Sequence, residues 1–124
     1  MESILTSIKK LLPIEESDTH FDQDIVIYIN NAFSTLTQLG AGPAEGFSIT
    51  DASAVWSSYE VTTVVLGFVK TYIYLKVKLI FDPPASSAAI ESIKALIAEA
   101  EWRICSEVDP LFVPEPVESE EEIW

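Results

Sequence analysis

One histidine and one cysteine are all the imidazole and thiol chemistry that this chain of 124 residues can offer. His20 stands in the run DTHFDQD, flanked at alternate positions by Asp18, Asp22 and Asp24, carboxylates of the kind a divalent cation takes. Residues two apart on a helix point about 200° from each other, so this spacing does not converge on one ion. Acids in a first helical turn are already favoured by the helix dipole, and capping is the expected role. Cys105 has no second cysteine to pair with and no partners for a zinc site, so a packing thiol in a chain made for a reducing compartment is expected. No serine lies in an elbow-like context, and one His with one Cys gives no specific support for a dyad. The glycines of GAGPAEG, residues 40–46, match neither the P-loop nor the dinucleotide fingerprint. The carboxylate runs EESD and ESEEE cannot be read as a glycosidase pair, because that pair is defined by its separation in space. The sequence therefore points to no catalytic residue, no metal ligand and no cofactor, and reads as a protein that is not an enzyme.

Charge narrows the partners. Twenty acids against seven lysines and arginines give a net charge of −13, which repels nucleic acid and anionic membrane. The basic residues fall in three places: Lys9 and Lys10; Lys70, Lys76 and Lys78; and Lys94 with Arg103. The longest apolar stretch is interrupted by the middle group, so no transmembrane span is expected, and the amino-terminal lysines follow rather than precede the apolar residues, unlike a signal peptide.

The elements that would carry these side chains are helical. Ile4, Leu5, Ile8, Leu11 and Leu12 recur at helical spacing before Pro13, predicting a helix over 3–12. Ser17, Asp18 and Thr19 are cap candidates for a second helix over 19–39, which carries Phe21, Ile25, Ile29, Ala32, Phe33 and Leu36 on one face and closes at Gly40. After a glycine-rich loop, Thr50 or Asp51 is suited to cap a short third helix over 51–58.

The run VVLGFVKTYIYLKVKLIFDPP, residues 64–84, has a strand's composition and a helix's spacing. At 100° per residue Val61, Val65, Phe68, Val69, Tyr72, Leu75 and Leu79 share about a third of the wheel, predicting a helix over 60–81 that ends before Pro83. Leu66, Ile73, Val77 and Ile80 widen the apolar arc beyond half the circumference, more than a surface helix of a monomer needs, and they are expected to meet a neighbouring subunit. Lys76 lies inside that arc, either snorkelling past it or pairing with a carboxylate across the contact. Ser86 or Ser87 caps a last helix over 86–105 with the stripe Ile90, Ile93, Ile97, Ala100 and Ile104.

The expected fold is thus all-α, a small bundle of four main helices plus a short one, with residues 1–105 as the domain and 106–124 as an extended acidic arm. Its expected core is Phe33, Leu36, Trp56, Val65, Phe68, Tyr72, Leu79, Ile93, Ile97 and Trp102. The arm's three prolines and seven acids favour a solvated, extended chain, and Leu111, Phe112, Val113, Val117, Ile123 and Trp124 are its large apolar groups without a period. Such a segment reads as a docking peptide, or as a terminus folded loosely on its own subunit.

The run VKTYIYLKVKLIFDPPASS, with the preceding FDQDIVIYINNAFSTLTQLGAGPAEGFSITDASAVWSSY, resembles the head-to-tail connector proteins of tailed bacteriophages, also called adaptor or head-completion proteins. The similarity covers roughly residues 1–103. It implies a structural virion protein, made in the bacterial host cytoplasm, that joins a homo-oligomeric ring, usually of twelve, beneath the portal protein. The ring would extend the DNA channel and offer a platform to a tail-side completion or stopper protein. In that family a terminal segment typically holds the portal; the arm matches no family motif residue by residue, and its assignment to the portal follows from its apolar groups and that analogy. Twelve copies at −13 each would carry −156, a channel wall that passes DNA without binding it. The other reading from the residues is an acidic helical interaction module that forms no ring and binds its partner through the arm.

Overall fold

Ser3 opens the first helix: its hydroxyl accepts the Thr6 amide at 3.2 Å, and α1 runs Ile4–Leu11. The computed structural model describes residues 2–108. In it α2 is Asp22–Gln38, a short 3₁₀ turn is Trp56–Ser58, α3 is Thr63–Phe81 and α4 is Ser87–Val108. The chain is all-α, with four helices and no strand among the described residues. The arm lies outside the described residues from Asp109 onward, and with it Leu111, Phe112, Val113, Ile123 and Trp124.

The 64–84 run is helical as its period predicts, and α3 is the central element. Thr62 caps it by accepting the Val65 amide, and it ends before the two prolines. Its buried residues Val65, Val69, Tyr72, Ile73, Leu75 and Val77 span roughly 200° of the wheel. That breadth has an internal cause, because α1, α2 and α4 of the same subunit all pack on α3. Ile73 and Val77 are completely enclosed, so their expected place at a subunit contact is corrected to the core.

The core also includes Phe33, Leu36, Trp56, Tyr72, Ile93 and Ile97, in agreement with the sequence. Three expected core residues sit further out. Phe68 and Leu79 are half-buried, and Trp102 is 40% exposed. Trp102 stands nine residues, hence about 180° of helix, from Ile93, so the stripe that faces α3 turns it away.

Four helix boundaries move by three residues or more. The third long helix, α3, opens at Thr63 rather than 60, and α4 runs on to Val108 rather than 105, so residues 106–108 of the expected extended arm are helical. The other two move for identifiable reasons. Asp51 does not cap a helix: its carboxylate accepts the Ser53 amide and hydroxyl in a local turn. Beyond it Val55 is extended and bridges Ser3, with Ile4 N donating to Ala54 O and Trp56 N to Glu2 O, which leaves only Trp56–Ser58 helical. The second helix begins at Asp22 rather than 19 because the preceding residues form turns, with the Asp18 carboxylate accepting the His20 amide. At its other end Gly40, at φ 95°, closes α2 as expected, with Ala41 N donating back to Leu36 O at 2.9 Å.

The connection from α2 to the 3₁₀ turn is held against α2 by one side chain. The Asn30 amide nitrogen donates to Ile49 O at 2.9 Å, and its oxygen accepts Ile49 N at 2.8 Å. Phe47, Tyr59 and Phe33 pack beneath it in edge-on and tilted contacts at centroid distances of 4.8–5.1 Å. Gly42 sits at φ 77° against the Tyr59 ring, where a Cβ would come within 2.6 Å of it, so glycine is required twice over.

Burial pushes the Tyr59 hydroxyl up to about 12, and burial, followed by its hydrogen bond to Glu101, raises Tyr72 as well. Unfolded, both rings ionise near their ordinary value of 10.0. Their contribution to stability is therefore intact below pH 10 and is lost as pH rises through about 12. The expected outcome is an alkaline unfolding transition in that window by circular dichroism, with tyrosinate absorbance from these two rings appearing only with unfolding.

Candidate docking surfaces

The described residues include no group of three or more His, Cys, Asp or Glu side chains able to hold a metal ion. His20 packs edge-on against Phe21, which in turn meets Phe81, tying the start of α2 to the end of α3. What the surface offers instead is apolar relief and unevenly placed charge.

The larger feature is a groove between α3 and α4. Val64 and Phe68 lie one turn apart on α3, and with Thr71 they follow one stripe at three- and four-residue steps. Leu96, Glu99 and Arg103 of α4 line the opposite wall, with Trp102 at one end. The space forms two adjoining cavities of about 130 and 270 Å³ that share Phe68 and Arg103. Val64 is 55% and Leu96 51% exposed, so with Trp102 they form a run of large apolar side chains that the subunit leaves uncovered. Arg103 is fixed rather than free: Nε donates to the Glu99 carboxylate at 2.9 Å, and the guanidinium lies over the rings of Phe68 and Trp102 at 6.0 and 5.7 Å. A held arginine beside a tryptophan in an apolar cleft is the composition that dominates binding energy at protein contacts.

A second hollow, of about 230 Å³, opens between α1 and α3 and is lined by Lys10, Leu11, Trp56 and Lys70, with Glu2 at its edge. Lys70 lies 5.4 Å from the Trp56 ring and 3.8 Å from the Glu2 carboxylate. Trp56 is fixed from below, since its indole N–H donates to Ser7 Oγ at 2.8 Å.

The flank singled out from sequence is only partly available. Leu66 and Lys76 are half-buried, Ile80 is 53% exposed, and Ile73 and Val77 belong to the core. Lys76 Nζ lies 5.6 Å from the centroid of the Tyr72 ring and makes no ion pair among the described residues. The Glu99–Arg103 pair agrees with the i, i+4 spacing in the sequence, but the groove it lines with Val64 and Leu96 went unnoticed there, although Leu96 and Arg103, seven apart on a helix, share a flank beside the core stripe.

Lys9 is the other residue whose role the sequence hid. It is almost completely buried, and its ammonium donates to Glu16 O at 3.1 Å and Asp18 O at 2.7 Å while pairing with the Asp22 carboxylate at 2.8 Å. One cation thus fastens α1, the 13–21 connection and the first residue of α2. No helix among the described residues is long and apolar enough to cross a bilayer.

A family model described as phage connector protein matches residues 4–110, which spans all four helices. No curated protein and no solved structure matches the chain.

Proposed function

The chain belongs to the phage connector protein family, and from that premise we propose that it is a structural component of the head-to-tail junction of a tailed-phage virion. In this reading copies of the chain form a ring, twelve in number, beneath the portal protein, extend the DNA channel and present a platform to a tail-side completion or stopper protein. The extent of the family match carries the proposal. The α3–α4 groove supports the ring, because an uncovered cleft holding Val64, Leu96, Trp102 and a positioned Arg103 suits a lasting protein contact. It replaces Ile73 and Val77 at the subunit contact, with Leu66, Lys76 and Ile80 left as a smaller neighbouring patch. The arm, with Leu111, Phe112, Val113, Ile123 and Trp124, is assigned to portal binding. Apolar anchors within an acidic peptide suit a groove with a basic rim.

The test is assembly on purified portal rings. Leu96→Asp with Trp102→Ser should leave helicity and urea unfolding close to those of the parent, since both side chains are about half exposed, and should reduce ring formation on the portal at least tenfold. Unchanged assembly by a folded variant would remove the groove from the subunit contact. A one-to-one complex with portal and no ring would instead favour the interaction-module reading.

The acidic wall makes a separate forecast. With twenty acids to seven bases, the isolated protein should show no measurable affinity for duplex DNA near physiological salt. Tight, salt-sensitive binding in an anisotropy titration would count against a channel role and would direct attention to Lys70, Lys76 and Lys78.

A further inference from the structure

We propose that the hollow between α1 and α3 is a berth for the chain's own acidic segment, residues 115–124, which rests there until a partner displaces it. The cations of the subunit lead to this hollow. Lys9 is buried against Asp22, and Lys78, Lys94 and Arg103 each pair with a carboxylate on or beside their own helix, Asp82, Glu91 and Glu99. Lys76 lies half-buried beside the Tyr72 ring. Lys10 has no ion pair among the described residues, and Lys70 reaches Glu2 only at 3.8 Å with both side chains about half exposed, a pair of little strength. These two lysines line one cavity, and Leu11, 51% exposed, and the face of Trp56 line it with them.

The hollow therefore asks for carboxylates followed by an apolar group. Residues 115–124 supply that order: Glu118, Glu120, Glu121 and Glu122 run into Ile123 and Trp124 with no basic residue among them. Carboxylates facing Lys10 and Lys70 would neutralise two ammonium groups that flank the exposed Leu11 and the Trp56 ring, and an indole or an isoleucine would cover Leu11.

Reach allows the same subunit to supply the segment. The end of α4 lies beside the start of α3, where Glu107 and Val64 line one cavity. Lys70 stands six residues further along α3, about 9 Å at 1.5 Å per residue. The ten residues from Asp109 to Glu118 extend to roughly 33 Å, enough to round a helix about 10 Å across. A linker of this length holds the segment at an effective concentration in the millimolar range, well above that of a second copy in dilute solution. The contact is then intramolecular and salt-sensitive, and it keeps the arm's apolar groups covered before assembly.

Carbodiimide cross-linking of the full chain, with no portal present, tests this contact separately from the connector assignment. ¹⁵N-labelled and unlabelled chains are refolded as an equal mixture, cross-linked and digested for mass spectrometry. The expected result is that Lys10 and Lys70 are joined to Glu118, Glu120, Glu121 or Glu122 within single-isotope peptides. Yield should fall several-fold in high salt, and also in Leu11→Asp at unchanged helicity, a change that leaves both amines in place. Cross-links spread evenly over Lys10, Lys70, Lys76 and Lys94, or none to Lys10 and Lys70, would overturn the berth. Mixed-isotope peptides would overturn the intramolecular contact by showing that a second copy fills the hollow.

Discussion

Ile73→Asp should yield a chain that does not fold. Ile73 is completely enclosed by its own subunit, on the helix that all three others pack against. An aspartate there has no described cation to pair with, and a buried, unpaired carboxylate costs several kcal/mol on top of the lost apolar contacts. A domain of this size has about 5–15 kcal/mol of stability in total, so this single change consumes most of it. The measurement is far-ultraviolet circular dichroism with urea unfolding, run beside Ile80→Asp. Ile80 is 53% exposed on the same helix and should change stability by only about 0.5 kcal/mol. A soluble, helical Ile73→Asp that fails only to assemble would return Ile73 to the subunit contact.

Lys9→Met should cost about 3 kcal/mol, lowering the melting temperature by on the order of 10 °C. Methionine keeps the length and apolar stem of lysine but removes the charge, leaving the Asp22 carboxylate and the carbonyls of Glu16 and Asp18 without their shared donor. The Asp22 side chain is 27% exposed, so water recovers part of the loss and the figure falls at the low end of those for broken buried pairs. Lys10→Met, one residue away and on the surface, is the control and should stay within about 0.5 kcal/mol. Equal stability of the two variants would reduce Lys9 to an ordinary surface-type lysine.

The sequence disclosed whatever depends on neighbours within a few turns of chain. The period of residues 64–81 overrode their strand-like composition, Pro83 and Pro84 ended α3, and Ser86 capped the last helix, its hydroxyl accepting the Ala89 amide at 3.0 Å. What it hid depends on contacts made across the fold. Val55 is extended because it meets Ser3, fifty-two positions earlier, and no local pattern marks that pairing. The breadth of the apolar arc on α3 was visible, but whether α1 and α2 or a neighbouring subunit covers it is decided by how the helices are arranged. Phe68, on the edge of the buried arc of α3, and Trp102, about 180° from the buried stripe of α4, looked like core from their apolar size, but both line the groove where the guanidinium of Arg103 lies over their rings. Lys9 combined both difficulties, since its acceptors lie seven to thirteen residues away in a turn whose path a sequence does not show. The arm's assignment rests on its composition and on the family's architecture.

The Asn30 side chain gives Ile49 the two hydrogen bonds that a strand would give to its antiparallel neighbour. In terms of chain statistics, it splits the long connection between α2 and the 3₁₀ turn into two lobes that close independently. Because closure entropy grows only with the logarithm of loop length, adding a few residues to one lobe costs a few tenths of a kcal/mol and leaves the other undisturbed. The exposed tip at Ala44 and Glu45, bounded by Gly42 and Gly46, is thus a place where relatives can differ in length without moving a helix, while the Asn30–Ile49 clasp fixes where that variation must stop.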